Sequence, residues 1–184
     1  MIRVDTKELA VMKKRYEKVK SQAKVVVSRA MNRVASNART NVKKEIAKEY
    51  IIKSGDVNKT LSTTKASASS TTSVVRSTSR GTGLDKYKFT PKKAREKGKR
   101  PKVIKAAVKK GGAVKPIKNA FVADIHGAKI FVREGKKRLP IRRLYGPPAP
   151  EMFNQPRVRT PVEQKAREAF EERIMHELDR ELKK

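Results

Sequence analysis

Between residues 6 and 50, apolar side chains fall at every third or fourth position: Leu9, Met12, Tyr16, Val19, Ala23, Val26, Ala30, Val34, Ala38, Val42, Ile46 and Tyr50. That period lines them along one side of an α-helix. No Gly or Pro interrupts the stretch, yet Asn32, Ser36, Asn37 and Asn41 weaken its middle, and the later strict spacing of four makes the stripe drift around the axis. One bent helix and two consecutive helices both fit. A single helix of about 45 residues would measure roughly 68 Å, longer than a small domain is wide, and would have to project and meet neighbouring molecules. Ser54-Gly55-Asp56 supplies a break and a capping residue, so residues 57–61 are predicted as a short second helix.

The period then changes. Residues 62–83 are dominated by Ser and Thr, with Ala66, Ala68, Val74 and Val75 among the few apolar positions. Their β-branched content favours a pair of edge-type strands, while the low hydrophobicity leaves a disordered linker as the alternative. Further on, Gly111-Gly112 separates Val103-Ile104-Lys105-Ala106-Ala107-Val108 from Ala113-Val114-Lys115-Pro116-Ile117, the layout of a hairpin whose second strand Pro116 confines to an edge. His126-Gly127 divides Ala120-Phe121-Val122-Ala123-Asp124-Ile125 from Ala128-Lys129-Ile130-Phe131-Val132-Arg133, the clearest hairpin in the chain. Residues 139–153 carry Pro140, Pro147, Pro148 and Pro150 among apolar side chains, which predicts extended chain rather than helix. Such a segment either covers its own core or docks on a neighbour. Thr160-Pro161-Val162-Glu163 has the spacing of a capping box with Pro in the first helical position, and Val162, Ala166, Phe170, Ile174, Leu178 and Leu182 continue as a helical stripe.

These elements predict an α+β fold: long N-terminal and C-terminal helices packed on a small, mainly antiparallel β-sheet. The expected segments of one domain are a helical stretch over residues 1–61, a β-rich stretch over 62–135 containing a basic loop at 86–118, a Pro-rich extended arm over 136–159, and the C-terminal helix over 160–184.

Charge changes this picture more than any other property. Lys and Arg number 48 against 18 Asp and Glu, a formal net charge of +30 over 184 residues. Self-repulsion of that size favours a negatively charged partner: nucleic acid, an anionic membrane surface or an acidic protein. Residues 86–118 hold fourteen Lys or Arg and a single acid, Glu96. Lys92, Lys93, Arg95, Lys97, Lys99, Arg100 and Lys102 are therefore the candidate polyanion contacts. Phosphate contacts of this kind need no sequence code, and Tyr87 and Phe89 are too few for a stacking platform, so DNA binding would be non-specific and salt-sensitive. The N-terminus has no apolar run of signal-peptide length and no stretch is apolar enough to span a bilayer, so the expected site of production is the cytoplasm, without membrane insertion.

Candidate chemistry adds little. The absence of Cys removes disulfides, thiolate metal sites and cysteine nucleophiles. His126 and His176 lack ligand spacing, Arg80-Gly81-Thr82-Gly83 lacks the helix and lysine of a phosphate-binding loop, and no serine sits in a nucleophile elbow. No catalytic residue, metal or cofactor is expected.

The run Arg138-Leu139-Pro140-Ile141-Arg142-Arg143-Leu144-Tyr145-Gly146-Pro147, continued by Pro150-Glu151-Met152-Phe153, resembles a signature of the lambda-type minor tail protein Z family of phages and prophages. Ala30-Met31-Asn32-Arg33-Val34-Ala35, Ala38-Arg39-Thr40, Glu45-Ile46, Tyr50-Ile51-Ile52-Lys53, Asp56-Val57 and Phe121-Val122-Ala123 are similar to the same family. The resemblance implies a structural virion protein with a tail-completion or connector role at the head-proximal end of the tail, made in the host cytoplasm. It also implies other tail and neck proteins as partners, and a ring of copies around the DNA channel, with a hexamer favoured over a trimer. Within the Pro-rich arm, Leu139, Pro140, Ile141, Leu144, Tyr145, Met152 and Phe153 are the candidate subunit-interface residues. Charge alone permits a different reading, a basic RNA-binding or ribosome-associated protein.

Overall fold

A computed structural model describes residues 6–94, 101 and 103–183, with backbone alone for residues 6–10 and 12. It is α+β, as the periodicities predict. The elements run α1 (Thr6–Glu49), α2 (Ser54–Asn58), β1 (Leu61–Thr64), β2 (Val74–Ser77), β3 (Thr82–Gly83), a 3-10 turn (Leu84–Lys86), β4 (Lys88–Thr90), β5 (Ile104–Ala107), β6 (Lys115–Ile117), β7 (Ala120–Asp124), β8 (Ala128–Arg133), β9 (Ile141–Arg143), β10 (Tyr145–Gly146), α3 (Ala149–Asn154) and α4 (Pro156–Leu182). In place of the expected single sheet, the described residues form four small ones: β1–β2, β3–β10, β4–β5–β6 and β7–β8–β9. The last three are antiparallel throughout.

The chain divides into two compact units. Unit 1 comprises residues 1–41, 62–76 and 162–184; unit 2 comprises residues 42–61 and 77–161.

In unit 1, α1 buries Val26, Ala30, Val34 and Ala35. The side-chain amide of Asn32 is tied in both directions to Ala66, donating to its carbonyl at 2.9 Å and accepting from its N–H at 2.7 Å. One residue on the helix thus anchors the Ser/Thr segment, which forms the β1 and β2 strands rather than a linker. Arg29 reaches α4, with Nη1 3.4 Å from Glu181 Oε2 and 4.0 Å from Glu177 Oε2.

In unit 2, Ile46, Val57, Ile104, Ile130, Met152 and Val158 are wholly buried. The hairpin at His126-Gly127 forms in the expected place, with Ala120 opposite Val132 and Asp124 opposite Ala128. Both turn residues take positive φ, 52° and 96°, and Asp124 Oδ1 accepts from the Gly127 N–H at 3.0 Å. That backbone region is costly for most side chains and free for Gly. The Gly111-Gly112 hairpin forms too: Ile104 lies opposite Ile117, and Pro116 sits in β6 at the sheet edge, where its missing N–H costs no ladder bond.

Four local expectations are corrected. The short helix runs from Ser54 to Asn58 rather than over residues 57–61, its first turn closed by the Val57 N–H donating to the Lys53 carbonyl at 3.3 Å; Leu61, which is buried, starts β1 instead. Residues 88–90, expected within the basic loop, are strand β4 paired with β5, because Phe89 and the preceding Tyr87 are buried. Residues 149–154 are helical despite the prolines, since Pro148 precedes the helix, its carbonyl accepting from the Met152 N–H at 3.1 Å, and Pro150 falls in the first turn, where no N–H is needed. Finally, α4 begins at Pro156 and carries Pro161 inside it. Val158 and Val162, one turn apart and both buried, hold this earlier turn in helix at the loss of one backbone hydrogen bond.

Candidate interaction surfaces

The Arg138–Pro147 run is woven into unit 2 along most of its length. β9 pairs with β8, placing Arg143 opposite Phe131 and Ile141 opposite Arg133. Leu144 continues the weave, its N–H donating to the Ile130 carbonyl at 2.9 Å while its own carbonyl accepts from Leu84 at 3.0 Å. Tyr145 and Gly146 then pair with Gly83 and Thr82.

Two side chains from the other end of this pairing hold the run in place. Asp85 Oδ1 accepts from Arg143 at Nη2 (2.6 Å) and Nε (3.2 Å), while the same guanidinium lies 5.3 Å from the Tyr145 ring centre. The Tyr87 hydroxyl donates to the Pro147 carbonyl at 2.8 Å. Burial, the largest influence, pushes the Tyr87 hydroxyl up to about 12. A side chain at Gly146 would meet the Tyr87 ring at 2.6 Å, which explains a glycine between Tyr145 and Pro147.

The candidate interface residues consequently differ in what they present. Leu139 and Tyr145 are 65% and 57% exposed, Pro140 is exposed, and Ile141, Leu144 and Phe153 are half-buried. Met152 is wholly buried within unit 2. Beside the arm, a concavity of about 530 Å³ is lined by Tyr50, Leu84, Ala106, Ile117, Pro147 and Glu151, among others. Its walls are mainly apolar, the chemistry to accept an apolar side chain. Burial, then the carboxylates of Glu151 and Glu49, raise the Tyr50 hydroxyl above its ordinary value.

Of the candidate polyanion contacts, Lys92 and Lys93 are exposed directly after β4. Arg95, Lys97, Lys99, Arg100 and Lys102 lie outside the described residues. A second basic cluster was not singled out from the sequence: Lys136, Lys137 and Arg138 are all exposed at the turn between β8 and β9. Its signal was present as three consecutive basic residues beside Gly135, but the neighbouring Pro-rich run masked it. Among the described residues no group of three or more His, Asp or Glu side chains is placed to hold a metal. His126 sits on the exposed hairpin turn, and His176 Nδ1 lies 3.9 Å from Glu177.

The exposed cations and the exposed apolar side chains of the anchored arm are surfaces open to contact with other molecules. The chain belongs to the family of prophage minor tail protein Z (GPZ), whose family model matches residues 6–184. It is thus a phage minor tail protein with a structural role in the tail. No curated protein and no solved structure matches the chain. Family membership takes the tail reading over the RNA-binding one that charge had left open. No described helix is long and apolar enough to cross a membrane.

Proposed function

We propose that this chain is a tail-completion or connector protein at the head-proximal end of the tail, forming a ring of copies around the DNA channel and contacting other tail and neck proteins. The observation that carries the reading is the family match over residues 6–184. The structure adds a physical rationale. The Arg138–Pro147 run is fixed on one side by Asp85 and Tyr87 and leaves Leu139, Pro140 and Tyr145 exposed. A rigid backbone presenting apolar side chains loses little entropy on docking. A ring requires one patch to meet a different patch on the next copy, and the apolar concavity of unit 2 offers a receptor of suitable chemistry for such side chains. The exposed Lys92, Lys93, Lys136, Lys137 and Arg138 supply charge for non-specific contact with DNA phosphates.

Electron microscopy of particles carrying a gold-labelled copy of the chain tests the placement. Label at the head-proximal end, with a deletion giving tails that fail to join filled heads, is the expected result. Label along the shaft or at the distal tip would overturn it.

A further inference from the structure

Within unit 1, among the α1 stripe residues whose side chains are described, burial begins at Val26. Ahead of it, Tyr16 is 66% exposed, Ala23 is exposed and Val19 half-buried. At 100° per residue these three share one face, and Lys20, Lys13 and Lys24 line one edge of it. The opposite side of the same segment, with Val11, Lys14 and Lys18, lines a concavity with Glu181 and Leu182. On the other side Tyr16 and Ala23 stand exposed.

The charge that complements this face lies on α4. Residues 163–181 carry seven of the 18 acids but only four of the 48 basic residues, an acidic island in a chain of charge +30. Glu168, Glu172, Met175 and Asp179 follow one another at intervals of four, three and four, so they share one face, and all are exposed. Met175 is 60% exposed, and Leu182, on the same face, 45%. Among the described residues no ion pair uses Glu172, Asp179, Lys13, Lys20 or Lys24. The spans match as well: Lys13 to Lys24 and Glu168 to Asp179 each cover about 16 Å of helix axis.

We infer that the Tyr16 face of α1 docks on the Glu168–Asp179 face of α4 in a second copy of the chain. Tyr16 and Val19 would cover Met175 and Leu182, with the lysines, which lie along one side of the apolar residues, set against the acids along one side of Met175 and Leu182. DNA is the poorer occupant, because a phosphate backbone offers nothing to bury Tyr16 and Val19. Each copy donates one face and accepts on another, so the contact is heterologous and suited to a ring. The inference deepens the ring reading and rests on it.

Charge reversal of the full-length, nuclease-treated protein tests the contact by analytical ultracentrifugation at fixed salt. The wild type is expected to self-associate. A variant with Lys13→Glu, Lys20→Glu and Lys24→Glu, and a second with Glu168→Lys, Glu172→Lys and Asp179→Lys, should each associate at least tenfold more weakly. Mixing the two should restore association, because each reversed face then finds its complement, a result that misfolded variants cannot give. A wild type that sediments as a monomer, or a mixture that stays dissociated, would overturn the contact. So would lysine reversal that lowers only DNA retention. A monomeric wild type found at the head-proximal end of particles would sink this contact and leave the tail placement standing. Association restored by mixing, in a protein that never enters particles, would keep the contact and sink the placement.

Discussion

Gly146 shows how much one position can depend on a partner remote in sequence. The Tyr87 ring occupies the space where its Cβ would be, and that ring is held by burial and by the hydroxyl's bond to Pro147. Gly146→Ala should therefore cost about 1–3 kcal/mol, the usual penalty for overfilling a packed site, measurable as a lowered urea midpoint at unchanged slope. Tyr87 itself predicts a pH effect. Its folded-state value of about 12 lies above the ordinary 10.0, so the folded protein holds this proton more tightly than the unfolded chain. Its contribution is complete below pH 10 and fades between about 10 and 12 as the unfolded chain ionises first. The stability difference between the wild type and Tyr87→Phe should be constant up to pH 10 and shift against the wild type above it. A difference that stays level to pH 12 would show that the ring is not buried.

At the scale of elements, the first half of α1 and the rest of it share a sequence pattern but not an environment. Tyr16 and Ile46 belong to the same stripe, yet Tyr16 is two-thirds exposed and Ile46 wholly buried. Ile46→Ala should destabilise the protein by about 2–5 kcal/mol, and Tyr16→Ala should stay within about 0.5 kcal/mol in the same thermal melts. Tyr16→Ala should still weaken self-association if its face docks on a second copy. The start of α4 teaches a related lesson. Thr160-Pro161-Val162-Glu163 has every local mark of a helix start, but the buried Val158 lies ahead of it, and packing extends the helix back to Pro156. Strand β4 was similarly hidden, because lysines on either side of Tyr87 and Phe89 gave the segment the composition of a loop.

At the scale of the whole molecule, the charge is the property with the widest reach. If the basic segment meets DNA, replacing Lys92, Lys93, Lys97 and Lys99 by Gln should weaken retention. It should also flatten the dependence of log affinity on log salt by about 0.9 for each phosphate no longer neutralised, with the circular dichroism spectrum unchanged. An unaltered slope would exclude these lysines from the DNA interface.

Sequence by itself determined what depends on neighbours along the chain. The helical period of α1, the two hairpins at Gly111-Gly112 and His126-Gly127, the edge position of Pro116 and the excess of charge are all local or additive. The family, too, was legible in a contiguous run, Arg138 to Pro147. Which apolar positions are covered and which stay exposed depends instead on how the chain packs. Asp85 and Arg143 are 58 residues apart, Tyr87 and Pro147 are 60 apart, and no periodicity in the chain encodes either meeting. Burial belongs to a packed surface rather than to a residue: the same apolar stripe is core where a neighbour covers it and exposed surface where none does.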